Sequence, residues 1–294
     1  MKRLRHLLEY LGLRVLLFLV DCAPPALSLR LADFGADLAY LLLFSRRRIA
    51  VSNLLATHIA ADAPSARRLA RLSFRCFARM AVESLCSDRY LEQHNWQDCI
   101  EWEASPELLQ VLNDPQQGLI LASGHLGSWE VAAHLLSYHK PVVGITRSMN
   151  NPYTERLISR RKSRGRFELT PKHDLNTARL VTALKQKKIL AIMIDQHAYS
   201  RGVRIDFLGR SASYDKAVAL LHLITKTPLC FGYCIATAPM RFKFIASDPI
   251  SYAATGDKEA DVRAILKLLN DHLETAVRTY PDKYLWSHRR WRPE

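Results

Sequence analysis

The sequence is short of acid, of cysteine and of uninterrupted apolar runs, and each shortage excludes something. Asp and Glu number 28 against 42 Lys and Arg, a formal charge of +14. So basic a chain points to an anionic partner: nucleic acid, anionic lipid or an acidic protein. Six cysteines in 294 residues are too few for a disulfide scaffold. Cys230 and Cys234 lie in an apolar, strand-like run, and a reducing, cytosolic compartment is the simpler reading. No HExxH occurs, and His125, His134 and His139 are offset by nine and five residues. Those offsets do not gather them on one helix, so no metal centre is expected. No recognisable nucleic-acid-binding motif accompanies the charge, which leaves nucleic acid a remote alternative. There is no internal repeat, low-complexity tract or clear linker. What is present is ample apolar material, 49% of residues, enough for one large packed domain.

The amino terminus is basic and then apolar, MKRLRHLLEYLGLRVLLFLV, as a signal peptide is, but no small-x-small cleavage site follows. A spanning helix needs about 20 apolar residues, and Arg14, Asp21 and Pro24-Pro25 interrupt any such window. The stretch Leu31 to Phe44 is shorter and carries Asp33 and Asp37. Leu4, Leu7, Leu8, Leu11, Val15 and Phe18 follow the i, i+3, i+4 rule beside Lys2, Arg3 and Arg5, which describes an amphipathic helix. Such a helix packs either on the domain's own core or in a membrane interface with its cations at anionic headgroups. The second reading is favoured, with Arg46-Arg47-Arg48 extending the basic rim. Residues 1–45 are therefore assigned to membrane-associating helices and 46–294 to the body of the protein.

Residues 45–95 read as helices, and Arg67, Arg68, Arg71, Arg75 and Arg79 at helical spacing read as mostly a solvated face. From Gly118 the texture changes. Short apolar runs at 118–123, 141–146, 188–195 and 228–236 alternate with helical patterns, and 240–246 reads as a hairpin partner of the last. That alternation predicts an α/β fold with a mostly parallel central sheet flanked by helices, behind a helical amino-terminal subregion. A long helix is expected over 257–280, then a basic and aromatic tail.

The chemistry concentrates in Leu119 to Ala133, LILASGHLGSWEVAA. A buried strand ends at Ser123-Gly124, His125 follows, and Glu130 opens a helix. On one helix a five-residue offset separates side chains by about 140°. His125 and Glu130 therefore cooperate only with His125 in the loop and Glu130 in the first turn, a geometry that Gly124 and Gly127 permit. A His oriented by a carboxylate is a general base for a hydroxyl, and amides at the helix start suit a phosphate or developing oxyanion.

HLGSWE (125–130) resembles the motif, His followed five positions on by Asp or Glu, of glycerolipid and lysophospholipid acyltransferases. In detail it is similar to the late lauroyl and myristoyl transferases of lipid A biosynthesis, which usually read H-x-G-N-W-E. Four further blocks carry the resemblance over essentially the whole chain. RRRIAVSNLLATH (46–58) fits that branch's amino-terminal helix pair, and TRSMNNPYTERLISRRKSRGR (146–166) its R-x-x-x-N-P segment with a basic helix. IMIDQHAYSRGVRIDFLGRSASY (192–214) resembles its D-Q block, and LNDHLETAVRTYPDKYLWSHRRWRPE (269–294) its closing L-W-x-H-R-R. Ser128 stands where Asn is usual, His197 where an acid is common, and SASYDK where a small, Thr-rich run is usual. These departures bear on substrate detail.

The resemblance implies acyl transfer from a thioester, acyl carrier protein or coenzyme A, to a hydroxyl of a membrane glycolipid, the lipid A precursor. The runner-up acceptor is another polar-headed lipid. It implies no cofactor beyond the thioester co-substrate, and a site at the cytoplasmic face of the bacterial inner membrane, held there monotopically or by a single amino-terminal anchor. His125 is then the base and Glu130 the residue that orients its ring. Arg147, Asn151, Arg164, Asp195 and Gln196 are the candidate substrate ligands. Asp195 and Gln196, just past a buried strand, lie where α/β sheets meet ligands, or else hold the loop. The run Arg156 to Arg166, six Lys or Arg without an acid, is a candidate dock for a phosphorylated headgroup, the acidic carrier or anionic lipid.

Overall fold

A computed structural model describes residues 2–146, 149–162, 167–171, 176–198 and 202–292. Among these, strands β1 (Ile100–Glu103), β2 (Leu119–Ser123), β3 (Val142–Thr146), β4 (Phe167–Pro171), β5 (Ile189–Met193), β8 (Leu229–Ala238) and β9 (Arg241–Ala246) form a seven-stranded sheet in the order β1-β9-β8-β2-β5-β3-β4. Every neighbouring pair runs parallel except the β8–β9 hairpin. The expected α/β architecture is present, hairpin included.

The central strands are apolar almost throughout because parallel strands are covered on both faces. All five residues of β2 are buried, and successive side chains point to opposite faces. Ile120 and Ala122 join a core with α9 (Ala217–Thr225) and α10 (Lys258–Thr279). Leu119 and Leu121 join a second core with α5 (Pro106–Asn113) and α6 (Trp129–Leu136).

Three pieces were not legible in the pattern. β1 is a four-residue edge strand whose Glu101 and Glu103 pair with Lys243. β4 is the opposite edge and ends on Pro171, where a proline is tolerated. β6 (Val203–Phe207) and β7 (Arg210–Tyr214) form a separate antiparallel hairpin. Its turn, Leu208-Gly209, has φ +55° and +75°. Leu is an unusual choice there, and the Leu208 amide is held by Glu274 at 2.9 Å.

The amino-terminal helices are α1 (Lys2–Cys22), α2 (Pro25–Leu42), α3 (Phe44–Ala56) and α4 (Ala63–Tyr90). Pro64 and the Asp62–Ser65 capping box start α4, satisfying amides that would otherwise lack partners. The arginine stripe on α4 is only in part the solvated face that its spacing suggested: Arg67 and Arg68 are exposed, but the next three reach α2. Arg71 and Arg75 both grip Asp37 of α2, at 2.5–2.8 Å, and Arg79 grips Asp33. The two acids that interrupt the apolar run of α2 therefore face inward, and its leucines other than the buried Leu29 are left facing out. No described helix is long and apolar enough to cross a membrane.

The Asp37 carboxyl is held well below the usual range by hydrogen bonds from Arg71 and Arg75, against a smaller opposing effect of burial. A carboxylate depressed in the folded state stabilises above the unfolded pKa and loses that contribution as pH falls. Asp37→Asn should lower stability at neutral pH by up to about 1 kcal/mol, the upper end for a bidentate, partly exposed pair. Thermal melts should show that difference narrowing below about pH 4.

Candidate active site

The parallel ladder between β2 and β5 pairs Leu119 with Ile189 through to Ser123 with Met193, a constant offset of 70 residues. Carried two residues past the strand ends, the same offset sets His125 opposite Asp195. The contact is made twice. Asp195 accepts the His125 backbone N–H through Oδ2 at 2.8 Å and the ring Nδ1–H through Oδ1 at 2.8 Å. With Nδ1 protonated toward a carboxylate, the lone pair sits on Nε2. Gln196 reaches Nε2 with its amide Nε2 at 3.3 Å.

Glycines let the loop pass. Gly127 has φ +62°, and a Cβ there would stand 2.1 Å from the Cys234 carbonyl oxygen. That carbonyl accepts the Ser128 amide at 2.7 Å, while the Gly127 amide donates to Lys283. A side chain at Gly124 would press on Leu273 at 2.7 Å. The carboxy-terminal tail closes the loop from outside: the Leu285 amide donates to the His125 carbonyl at 3.0 Å. Ser128, the departure from Asn, donates to the buried Glu83 at 2.8 Å.

Glu130 lies in the first turn of α6, as the spacing required, and its carboxylate accepts from Ser84 at 2.6 Å. The ring-orienting hydrogen bond expected from Glu130 comes from Asp195, because strand register delivers Asp195 to Nδ1. Glu130 acts on the ring through its charge. Burial alone depresses the His125 pKa. The Asp195 charge and hydrogen bond, with Glu130, outweigh it and raise the pKa above the ordinary value. Asp195 is 3% exposed. Burial pushes its carboxyl up, and His125 and Arg290 pull it down further, so it stays ionised. Trp129 lies edge-on to the His125 ring at 5.2 Å and packs on Phe77.

The other expected ligands are dispersed. Asn151 donates to the His6 carbonyl at 2.8 Å and Glu9 at 2.9 Å, and its Oδ1 caps α7 (Pro152–Lys162) through the Tyr153 amide. It ties α7 to α1. Arg147 and Arg164 lie outside the described residues, as do the side chains of the basic run from residue 160 onward. Ser84 carried no signal in the sequence, and Arg290 only its place in the closing L-W-x-H-R-R block, since their partners are 46 and 94 residues away.

The family model for the bacterial lipid A biosynthesis acyltransferase matches residues 1–293, and the chain belongs to that family. It is an acyltransferase of lipid A biosynthesis. No curated protein matches it. Among solved structures it is similar to the 1-acyl-sn-glycerophosphate (LPA) acyltransferase PlsC from Thermotoga maritima, at 10% identity and a TM-score of 0.38 over 84% of this chain and 95% of that one.

Asp195→Asn should cut turnover about 10²–10⁴-fold, because an amide no longer fixes the Nδ1–H tautomer. The acid limb of kcat/KM should sit above the ordinary histidine value of about 6.5 in the parent and fall in the variant, as the groups that raise His125 are lost. A pH–rate series on the two purified enzymes measures both.

Proposed function

We propose that the protein transfers a fatty acyl chain from an acyl thioester, acyl carrier protein or coenzyme A, directly to a hydroxyl of a lipid A precursor at an anionic membrane surface. The observation that supports this most is the His125–Asp195 clamp, which leaves Nε2 facing the Gln196 amide. The acceptor hydroxyl displaces the Gln196 amide and gives its proton to Nε2 while its oxygen attacks the thioester carbonyl. The C–S bond then breaks, and the imidazolium returns the proton to the leaving thiolate. Asp195 and Glu130 stabilise the imidazolium between those steps. No residue of the chain becomes acylated.

The membrane part rests on the outer face of α1 and α2. Leu4, Leu8, Leu11, Val15 and Phe18 of α1 are exposed, as are Leu27, Leu31, Phe34, Leu38 and Leu41 of α2, with Phe18 at 66% and Phe34 at 72%. A face of this extent asks for an apolar partner. Residues 1–45 would lie in the interface, gripped from behind by α4. Arg48, Arg210, Arg289 and Arg292 line an open cleft of about 590 Å³ with Trp291 and no acid, which fits an anionic surface better than a neutral one.

Phe18→Ser with Phe34→Ser should leave the far-UV spectrum and melting temperature near the parent values, because neither ring packs on the core. Flotation with anionic phospholipid vesicles should move the variant from the vesicle to the free fraction. Full retention on vesicles would place the attachment elsewhere. His125→Ala should lose about 10²–10⁴ in rate, and parent-like acyl transfer by the purified variant would overturn the base assignment.

A further inference from the structure

Arg290, in the carboxy-terminal tail, is only 1% exposed, a deep burial for a guanidinium. Its Nη1 donates to the Gln196 carbonyl at 2.9 Å and to the Ser213 carbonyl at 2.5 Å. Its Cζ lies 4.2 Å from the centre of the Tyr214 ring. It thus joins the segment after β5 to strand β7. The residue it holds by the backbone, Gln196, is the one whose side chain meets His125 Nε2, and Asp195 immediately precedes it. Among the described residues no carboxylate forms an ion pair with Arg290. Its charge is compensated instead by the Tyr214 face and, at longer range, by the Asp195 carboxylate.

The neighbours of Arg290 are arranged to keep it in place. Asn53 reaches across with Nδ2 to the Trp286 and His288 carbonyls, both at 2.9 Å. Trp291 stacks on Phe207 at 5.6 Å and donates to its carbonyl at 3.3 Å. Anchoring the tail needs only such contacts. A buried cation aimed at the carbonyl of a residue that touches the base does something more.

We propose that Arg290 is a positioning residue for the transfer reaction, fixing the Asp195-Gln196 pair against His125 from behind. The inference rests on His125 as base. Both bonds come from Nη1 of a flat guanidinium held against the Tyr214 ring, a placement that a flexible ammonium does not reproduce, so one side chain sets both the loop and the hairpin. Misplacing a catalytic group by about 1 Å costs on the order of 10²-fold, and the clamp distances of 2.8 Å leave little slack.

The groups that face this cluster are Asp195 and His197 after β5, Glu130 of α6, Arg204 of β6 and Tyr214 of β7. Glu274 of α10 and Tyr284, His288 and Arg292 of the tail complete it. Removing the Arg290 charge leaves the His125 imidazolium less opposed, so the acid limb of kcat/KM moves to higher pH.

The test uses the full chain in detergent with a thioester donor and a lipid A precursor. Arg290→Met should lower kcat about 10- to 100-fold with little change in KM, and shift the acid limb upward by about 0.5 pH unit or more. Arg290→Lys keeps the charge and loses the flat head held against Tyr214, so its limb should stay at the parent position while kcat falls. A lower melting temperature with the parent pH profile and kcat in Arg290→Met would overturn the proposal and leave Arg290 a tail anchor. Should that variant fail to fold, Arg290→Lys decides: parent kcat overturns, reduced kcat with an unmoved limb supports. Activity of His125→Ala in the same assay separates the two readings. An inactive His125→Ala beside a parent-like Arg290→Met removes only the positioning role, whereas an active His125→Ala removes the base.

Discussion

One buried carboxylate organises the centre of this molecule. Asp195 binds the backbone amide and the ring of His125 at once, so loop position and ring orientation are set by the same group. An anion taken out of water is costly unless hydrogen bonds and opposite charge surround it. Here two hydrogen bonds from His125 and the Arg290 charge supply that surrounding. The carboxylate is in place because β2 and β5 are adjacent and parallel with a fixed register. A one-residue slip would turn every side chain of one strand to the other face and separate the pair.

The carboxy-terminal tail completes what the sheet begins. It covers the His125 loop through Tyr284 and Leu285, crosses α3 at Asn53 and α4 at Ser73, and seats Trp286 in full burial. Helices α3 and α4 are thereby joined to the His125 loop, through side-chain bonds to the tail and a backbone bond from the tail to the loop. Helix α2 is tied in turn to α4 by Asp33 and Asp37.

The amino-terminal helices invert the usual arrangement. In α2 the acids point to the protein and, Leu29 and Tyr40 apart, the large apolar side chains point away. Burying Asp33 and Asp37 is tolerable because three arginines of α4 meet them in fork geometry. Those arginines look like a solvated stripe when α4 is read alone, and Asp33 and Asp37 look like defects in an apolar run when α2 is read alone. Each anomaly explains the other.

The sequence by itself determined the kind of sheet, since continuous apolar runs between helical patterns have few other solutions. It also determined the His125–Glu130 loop geometry and the outward apolar stripe of α1, because 3.6-residue periodicity and glycine placement are local. It missed β1 and β4, short edge strands with charges or a proline, and the β6–β7 hairpin, whose turn residue Leu208 has no turn preference. Only the tertiary structure decided that Asp195 is hydrogen-bonded to the His125 ring and that Arg290 holds the Gln196 carbonyl. Those partners lie 70 and 94 residues apart, and their meeting depends on strand register and tail packing, which no local pattern encodes.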